Sequence, residues 1–255
     1  MISVTFNGAP FHVAPGTTIL EAATMAHIPI PTLCFHPGLP PDGNCRLCSV
    51  EVIHRGRRNV VMACSYPITT ERLEIYTDTE KIRNLRRFVL SLFIKKTPHT
   101  PDLLALCSQY DLEVPQETTE AATPNCILCG LCVRACETEG VGCLDFSHRG
   151  HLREVGPAFH ASPEDCTGCG ACAEVCPTGF IKKIDTQEMR TLWGKTFQLV
   201  QCQSCGKAFA TQEQIQAATC LQMNQKLQEH VGIYCPSCLR KMEARAMALL
   251  ETAKE

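Results

Sequence analysis

Residues 126–136 read CILCGLCVRAC, and residues 166–176 read CTGCGACAEVC. Both stretches have the spacing C-x2-C-x2-C-x3-C, and Pro177 follows the second. A tight turn can direct its first three thiolates at one point, while the last step begins a helix that carries the fourth cysteine away. This spacing binds two [4Fe–4S] cubanes, with the fourth cysteine of each run reaching the other cluster. It therefore predicts two cubanes, with the ligands Cys126, Cys129, Cys132 and Cys176 for the first and Cys166, Cys169, Cys172 and Cys136 for the second.

The first cysteine set in chain order lies upstream of these runs, with the spacing Cys34-x10-Cys45-x2-Cys48-x15-Cys64. Its C-x2-C pair follows the Gly/Pro-rich loop PGLPPDGN, whose backbone N–H groups can point at sulfur. Four thiolates in such a loop suit a [2Fe–2S] cluster, and those N–H groups would tune its potential. The alternative for this set is a structural zinc ion.

A third set is formed by Cys202-x2-Cys205 and Cys235-x2-Cys238. Two C-x2-C pairs predict a tetrahedral, all-cysteine zinc ribbon with no open coordination position. The same ligands can hold a single iron, as in rubredoxins, or a further [2Fe–2S] cluster. The cysteines outside the three sets are expected to pack as small hydrophobic residues, and they are Cys107, Cys143 and Cys220.

The composition limits the class of protein. The chain has 255 residues, a formal net charge of −2 and 19 cysteines, which is far more cysteine than an ordinary intracellular protein carries. Because the cysteines have metal-ligand spacing and the start MISVTFNG lacks a secretory leader pattern, we expect a cytoplasmic protein rather than a disulfide-rich secreted one. No apolar run is long enough to predict a membrane span, and the charge does not favour binding to nucleic acid.

The predicted fold class is α+β with several domains. Residues 1–78 are expected to form a β-grasp ferredoxin domain, whose helix begins at the capping box Thr18-x-x-Glu21. Hairpin turns are indicated at Asn7-Gly8 and Arg55-Gly56. The expected strands are Ile2–Phe6, Phe11–Val13, Val50–Ile53, Val60–Met62 and Leu73–Tyr76.

Three further segments follow. Residues 79–120 are predicted to be a helical linker, opened by a capping box at Thr77-x-x-Glu80, with a second short helix at Leu103–Tyr110. Residues 121–190 form the bacterial-type two-cubane domain, and residues 191–255 the four-cysteine module with a capping box at Thr211-x-x-Gln214 and a last helix. The first linker helix is expected to carry an apolar stripe, which could dock a partner and consists of Ile82, Leu85, Phe88, Val89, Leu92 and Phe93. Its opposite face is expected to expose Arg83, Arg86 and Arg87.

The order and flanking residues of these motifs resemble a known family. They are PTLCFHPGLPPDGNCRLCSVEV at residues 31–52, NCILCGLCVRACETEGVG at 125–142 and LDFSHRG at 144–150. They resemble the amino-terminal iron–sulfur region of the large (75 kDa-type) peripheral-arm subunit of complex I and the small diaphorase subunit of NAD-linked bidirectional hydrogenases. Iron–sulfur regions of [FeFe]-hydrogenases and NAD-linked formate dehydrogenases are similar. The resemblance covers about residues 1–190 and implies the same [2Fe–2S] and cubane ligands.

The sequence departs from this family in two places. Many relatives bind another [4Fe–4S] cluster on H-x3-C-x2-C-x5-C, but here HTPDLLALCSQYDLEVP keeps only His99 and Cys107, at the wrong spacing. That cluster is expected to be lost, which leaves the [2Fe–2S] site as a branch beside the cubanes. The module at residues 191–255 replaces the catalytic domain of the larger relatives.

The predicted function is electron transfer within a multi-subunit oxidoreductase. The chain would relay single electrons between a flavoprotein that oxidises NAD(P)H and a hydrogenase or formate dehydrogenase catalytic subunit. No segment is predicted to hold a substrate, so catalytic residues are not expected, and whether the chain counts as an enzyme stays open. The expected cofactors are one [2Fe–2S] cluster, two [4Fe–4S] clusters and one zinc ion. The alternatives are a free-standing polyferredoxin-like carrier and an adaptor that acts through the zinc module.

Overall fold

A computed structural model describes the backbone of residues 1–98, 100–114, 125–157, 162–220 and 232–252, and their side chains apart from residues 220 and 245–252. Within these ranges the strands form three sheets. The strands are β1 (Ile2–Phe6), β2 (Ala9–Val13), β3 (Ser49–His54), β4 (Arg57–Met62), β5 (Leu73–Tyr76), β6 (Leu144–Ser147), β7 (Glu154–Pro157), β8 (Lys183–Asp185), β9 (Met189–Leu192), β10 (Lys195–Gln201) and β11 (Ala208–Thr211). The α-helices are α1 (Ile19–Met25), α2 (Glu80–Lys96), α3 (Pro101–Gln109), α4 (Leu131–Thr138), α5 (Ala171–Glu174), α6 (Gln212–Cys220) and α7 (Pro236–Thr252).

The amino-terminal unit is a five-stranded mixed sheet in the order β2-β1-β5-β3-β4. Strands β1 and β5 are parallel and the other neighbours antiparallel. Helix α1 packs on this sheet and has the predicted capping box, in which the Glu21 N–H donates to Thr18 Oγ1 at 3.2 Å and the Thr18 N–H to Glu21 Oε2 at 2.8 Å. The Asn7-Gly8 hairpin is also confirmed, with φ of +50° and +87°.

Helix α2 differs from its prediction in both its start and its buried face. Its N-cap is Thr79, not Thr77, because Thr77 is held by Asn7: the Thr77 N–H donates to Asn7 Oδ1 at 2.9 Å. The buried residues are Ile82, Arg86, Leu90 and Ile94. Phe88 and Leu92 are exposed, at 65% and 48%. The expected position of Arg86 was therefore wrong, whereas the exposed Phe88 and Leu92 agree with an apolar face that is free to dock a partner.

One apolar core joins the amino-terminal unit to the cysteine runs. Helices α2 and α3 contribute Leu90, Ile94 and Leu103 to it. Leu47 from the first cysteine set and Ile127 from the first cubane run pack in the same cluster. The two helices therefore bring segments that are far apart in sequence into one hydrophobic core.

The carboxy-terminal sheet has the antiparallel order β11-β10-β9-β8 and covers the second cysteine run. Fully buried Phe197 lies so close to Gly168 that a Cβ atom there would be 2.6 Å from its ring. Lys195 Nζ donates to the carbonyl of Cys166 at 3.1 Å, and Arg190 donates to the carbonyls of Gly168 and Cys169 at 3.0 Å each. The sheet spans residues on both sides of position 190, where the sequence predicts a boundary.

Helix α6 begins at the predicted capping box: the Gln214 N–H donates to Thr211 Oγ1 at 3.1 Å, and the Thr211 N–H donates to Gln214 Oε1 at 3.0 Å. None of the described helices is long and apolar enough to cross a membrane. His99 and the side chain of Cys220 lie outside the described residues.

Candidate metal centres

The four cysteines predicted to bind the [2Fe–2S] cluster are all buried around one point. Cys34, Cys45 and Cys48 come from the loop before β3, and Cys64 follows β4. Cys48 Sγ lies 3.4 Å from Cys64 Sγ, and the Cys45 N–H donates to Cys34 Sγ at 3.3 Å. The structure brings these four thiols together, as the spacing predicts.

The thiols of this set form two hydrogen-bonded pairs. A hydrogen bond between the two thiol groups, together with burial, raises the pKa of Cys34. The same thiol–thiol bond lowers the pKa of Cys45 to about 6. The second pair behaves in the same way. A hydrogen bond to Cys64 and burial raise the pKa of Cys48, while the same bond lowers the pKa of Cys64 to about 7. Binding four thiolates to iron therefore requires the release of the protons that each pair shares.

The two cubane runs share one backbone conformation. Leu128 and Gly168 occupy equivalent positions and have φ of +57° and +70°, and Gly130 and Gly170 begin the helices α4 and α5 with φ of +73° and +84°. The Leu128 N–H donates to Cys126 Sγ at 3.2 Å, and the Gly168 N–H to Cys166 Sγ at 3.4 Å. Each run thus curls around its first sulfur atom and presents an N–H donor to it, which stabilises a thiolate ligand.

The fourth cysteine of each run lies near the other run's thiols. Cys176 is close enough to Cys126, Cys129 and Cys132 to interact electrostatically with each of them. Cys136 interacts in the same way with both Cys169 and Cys172 of the second run. Burial raises the pKa of Cys129 to about 11 and that of Cys172 to about 11, so a cluster must displace protons here too.

A cavity lies among the cysteines of the second cubane set, and Trp193 also lines it. The Trp193 indole N–H is buried, and its hydrogen bond to Cys172 opposes the rise that burial causes in the pKa of that thiol. A buried N–H donor beside these thiols stabilises a thiolate ligand. The residues of this cavity therefore fit an iron–sulfur cluster.

The carboxy-terminal set forms a compact four-sulfur site. The Sγ atoms of Cys202, Cys205, Cys235 and Cys238 all lie within 4.8 Å of one another. The backbone N–H groups of Cys235, Cys205 and Ser204 lower the pKa of Cys202 to about 6, and the Cys235 N–H is 3.2 Å from Cys202 Sγ. A tetrahedral thiolate centre has sulfur–sulfur edges of about 3.8 Å for metal–sulfur bonds of about 2.3 Å. The spacing therefore fits one metal ion better than a two-iron cluster.

Comparisons with known proteins identify two iron–sulfur domains in the chain. The family model of the 2Fe-2S iron-sulfur cluster binding domain matches residues 1–80, and that of the 4Fe-4S dicluster domain matches residues 125–180. A chain in the crystal structure of an NAD+-reducing [NiFe]-hydrogenase in the H2-reduced state has 31% sequence identity and a TM-score of 0.57, and the match covers 70% of this chain and 85% of that one.

The chain belongs to the family of iron–sulfur subunits shared by NAD(P)-linked hydrogenases and complex I.

This iron–sulfur subunit matches parts of two longer curated relatives. It is 32% identical over 210 residues to the NADP-reducing hydrogenase subunit HndD of Solidesulfovibrio fructosivorans, a match over 70% of this chain and 35% of that relative. It is 30% identical over 97 residues to the mitochondrial NADH-ubiquinone oxidoreductase 78 kDa subunit of Candida albicans, over 38% of this chain and 13% of that relative. The iron–sulfur subunit therefore spans about a third or less of these two relatives.

The loops that hold the first two sites of this iron–sulfur subunit are in direct contact, which the sequence did not reveal. Arg134 on α4 donates to the carbonyl of Cys34 at 2.6 Å and to the carbonyl of Pro40 at 2.5 Å. Asn44 Nδ2, next to Cys45, donates to the carbonyl of Leu128 at 2.7 Å. These bonds link the loop of the first cysteine set to the first cubane run.

Cys107 lies where many relatives carry the histidine-ligated cluster. It is fully buried on α3, in the apolar core that also contains Leu90 and Leu103. Burial raises the pKa of its thiol. Cys107 therefore has the environment of a small hydrophobic residue, as predicted.

Proposed function

We propose that this chain relays single electrons through three iron–sulfur clusters within a multi-subunit oxidoreductase. The observation that carries the proposal is the contact between the [2Fe–2S] loop and the first cubane run, made by Arg134 and Asn44. Electron tunnelling weakens steeply with distance, so cluster sites on touching loops are well placed for transfer. We therefore favour a direct route from the [2Fe–2S] site to the cubanes over a side branch.

The proposed cofactors are one [2Fe–2S] cluster, two [4Fe–4S] clusters and one zinc ion. When bound, each cluster accepts and returns one electron at a time. The protein holds them with thiolates, excludes water by burial and directs N–H groups at sulfur, which sets the potentials. The proposed ligands are Cys34, Cys45, Cys48 and Cys64 for [2Fe–2S]; Cys126, Cys129, Cys132 and Cys176 for the first cubane; Cys166, Cys169, Cys172 and Cys136 for the second; and Cys202, Cys205, Cys235 and Cys238 for zinc.

The proposed domain plan keeps four parts. They are a β-grasp ferredoxin domain at 1–78, a linker at 79–120 without the histidine-ligated cluster, a two-cubane domain at 121–190 and a zinc-ribbon-like module at 191–255. The spacing of the four sulfur atoms suits zinc and a single iron equally. Zinc is preferred because the segment between the two C-x2-C pairs is Gln-rich, unlike the aromatic loops of a rubredoxin. Lys195 and Thr211 of this module donate to backbone carbonyls of Cys166 and Thr167, which supports a structural role for the module beside the second cubane run.

The proposed partners are a flavoprotein that oxidises NAD(P)H and a hydrogenase or formate dehydrogenase catalytic subunit, in the cytoplasm. The exposed side chains of Phe88 and Leu92 give α2 an apolar outer face, which suits a subunit contact better than a freely diffusing carrier. The relatives named above support this class of partner.

Two measurements test the proposal. Anaerobically purified protein should contain about ten irons and one zinc per chain, with EPR signals of one [2Fe–2S] and two interacting [4Fe–4S] clusters. Purification from the native cell should recover the chain with a flavoprotein. Isolation of the chain alone, at the mass of a single polypeptide, would contradict the multi-subunit proposal and favour the free-standing carrier.

A further inference from the structure

A fifth thiol faces the cavity of the second cubane set. The cavity is lined by Cys143 as well as by Cys136, Cys166, Cys169 and Cys172. Cys143 Sγ lies 3.6 Å from Cys136 Sγ. The sequence gives no sign of this contact, because seven positions separate the two cysteines and Cys143 belongs to none of the predicted ligand sets.

The backbone explains why these two thiols meet. The N–H groups of Val141 and Gly142 both donate to the carbonyl of Cys136, each at 3.1 Å, so the chain after α4 folds back on itself. Gly142 has a φ of +63°, a conformation that glycine adopts without strain. Strand β6 begins immediately afterwards at Leu144, which is buried and fixes the position of its neighbour Cys143.

Among the residues that the structure describes, no spare thiol lies at the equivalent place in the first cubane set. Its fourth cysteine, Cys176, has Thr178 Oγ1 as a neighbour, at 3.7 Å from Sγ. A neutral hydroxyl is a much poorer ligand for iron in a cluster than a thiolate. The two fourth ligands therefore have neighbours at almost the same distance but of different chemistry.

We propose that Cys143 is an exchangeable fourth ligand of the second cubane and can replace Cys136. The separation of 3.6 Å is no longer than the edge of a tetrahedral thiolate centre, about 3.8 Å. One iron is therefore within reach of both sulfur atoms after a small side-chain rotation. Because the exchange requires a cubane in this cavity, it depends on the cofactor set proposed above.

The exchange conserves charge and involves no oxidation. Cys143 would give up its thiol proton to Cys136 and take its place as the protein ligand, so one thiolate would be exchanged for another. The second cubane would thus survive loss or modification of Cys136, whereas the first would not survive the same change at Cys176.

Iron content and EPR of four variants of the full-length protein test this proposal. Cys136→Ala should keep about ten irons per chain and both cubane signals, whereas the matched control Cys176→Ala should lose between one and four irons. Cys143→Ala should keep the cluster, and Cys136→Ala combined with Cys143→Ala should lose it. The [2Fe–2S] signal, measured in the same samples, reports that each variant is folded. If Cys136→Ala does not fold, Cys136→Ser replaces it in the comparison.

Two results would overturn the proposal. One is an iron loss in Cys136→Ala as large as in Cys176→Ala, which would show that Cys143 cannot take over. The other is loss of the cluster in Cys143→Ala alone, which would make Cys143 an obligatory ligand. Wild-type protein without two cubane signals would instead refute the cofactor set itself, so the two failures are distinguishable.

Discussion

Replacing Arg86 by methionine should destabilise the unit that holds the [2Fe–2S] site. The Arg86 side chain is only 2% exposed. Its Nε donates to the carbonyl of Leu47 at 3.0 Å, one Nη donates to the carbonyl of Ser49 at 2.9 Å, and the other to Tyr110 Oη at 3.0 Å. Since Leu47 lies between the ligand candidates Cys45 and Cys48, Arg86 fixes the loop that carries them.

The magnitude follows from the groups left without a donor. Two buried carbonyls and one hydroxyl lose their partner, at about 1–3 kcal/mol each. The variant also avoids the desolvation of a buried guanidinium, which offsets part of that loss. The ion pair with Asp78, at 3.7 Å, adds little because Asp78 is half exposed. We expect a net decrease of about 2–4 kcal/mol in the free energy of unfolding of the amino-terminal unit.

This change is measured by denaturant unfolding, monitored through the loss of the [2Fe–2S] circular dichroism signal. Arg87→Met is the matched control, because Arg87 is the exposed neighbour on the same helix, and it should shift the unfolding free energy by less than about 0.5 kcal/mol. Arg86→Lys should lie between them, since an ammonium group cannot reach three acceptors with the geometry of a guanidinium. An Arg86→Met decrease below about 1 kcal/mol, or equal to the control, would refute the reasoning.

Three further predictions concern the cubane runs and the carboxy-terminal module. Gly168→Ala should destabilise the carboxy-terminal half by about 2–5 kcal/mol in denaturant unfolding. Alanine in the left-handed backbone conformation costs about 1–2 kcal/mol, and the overlap of its Cβ atom with the Phe197 ring costs about 1–3 kcal/mol. The control Gly179→Ala, with φ of +62° and no atom within 4 Å of the added Cβ, should show only the backbone cost. Arg134→Gln should slow reduction of the cubanes from the [2Fe–2S] site in stopped-flow experiments while iron content stays unchanged, and an unchanged rate would contradict the direct route. Chelation of the metal at the four-cysteine site should alter the EPR line shape of the second cubane but not the [2Fe–2S] signal; if both stay the same, the module is independent of that cubane.

The sequence predicts the grouping of the cysteines better than it predicts their surroundings. A cluster site built on close-spaced cysteines is a local feature, so the turn that gathers Cys126 and Cys129 is encoded within a few residues. The capping boxes at Thr18 and Thr211 are equally local, and both were predicted correctly. Family matches at residues 1–80 and 125–180 support the same two cofactor domains.

Features that depend on tertiary contacts could not be predicted. Hydropathy places a charged side chain in water, so Arg86 was assigned to the exposed face of α2; three acceptors from other elements make its burial favourable. Thr77 has the spacing of a helix cap, but Asn7, seventy positions away, already binds it. The contact of Asn44 with Leu128 is likewise invisible to any local pattern.

The sheet that covers the second cubane run also has a consequence for the order in which the protein is made. Every strand and cysteine of the amino-terminal unit has been synthesised by Tyr76, so that unit can fold while the ribosome is still working. The second cubane run, by contrast, gains a covering contact only once Thr211 has been made, because Thr211 donates to the carbonyl of Thr167. The loops around these two groups of cysteines therefore become covered at times separated by the synthesis of residues 77–211, more than half of the protein.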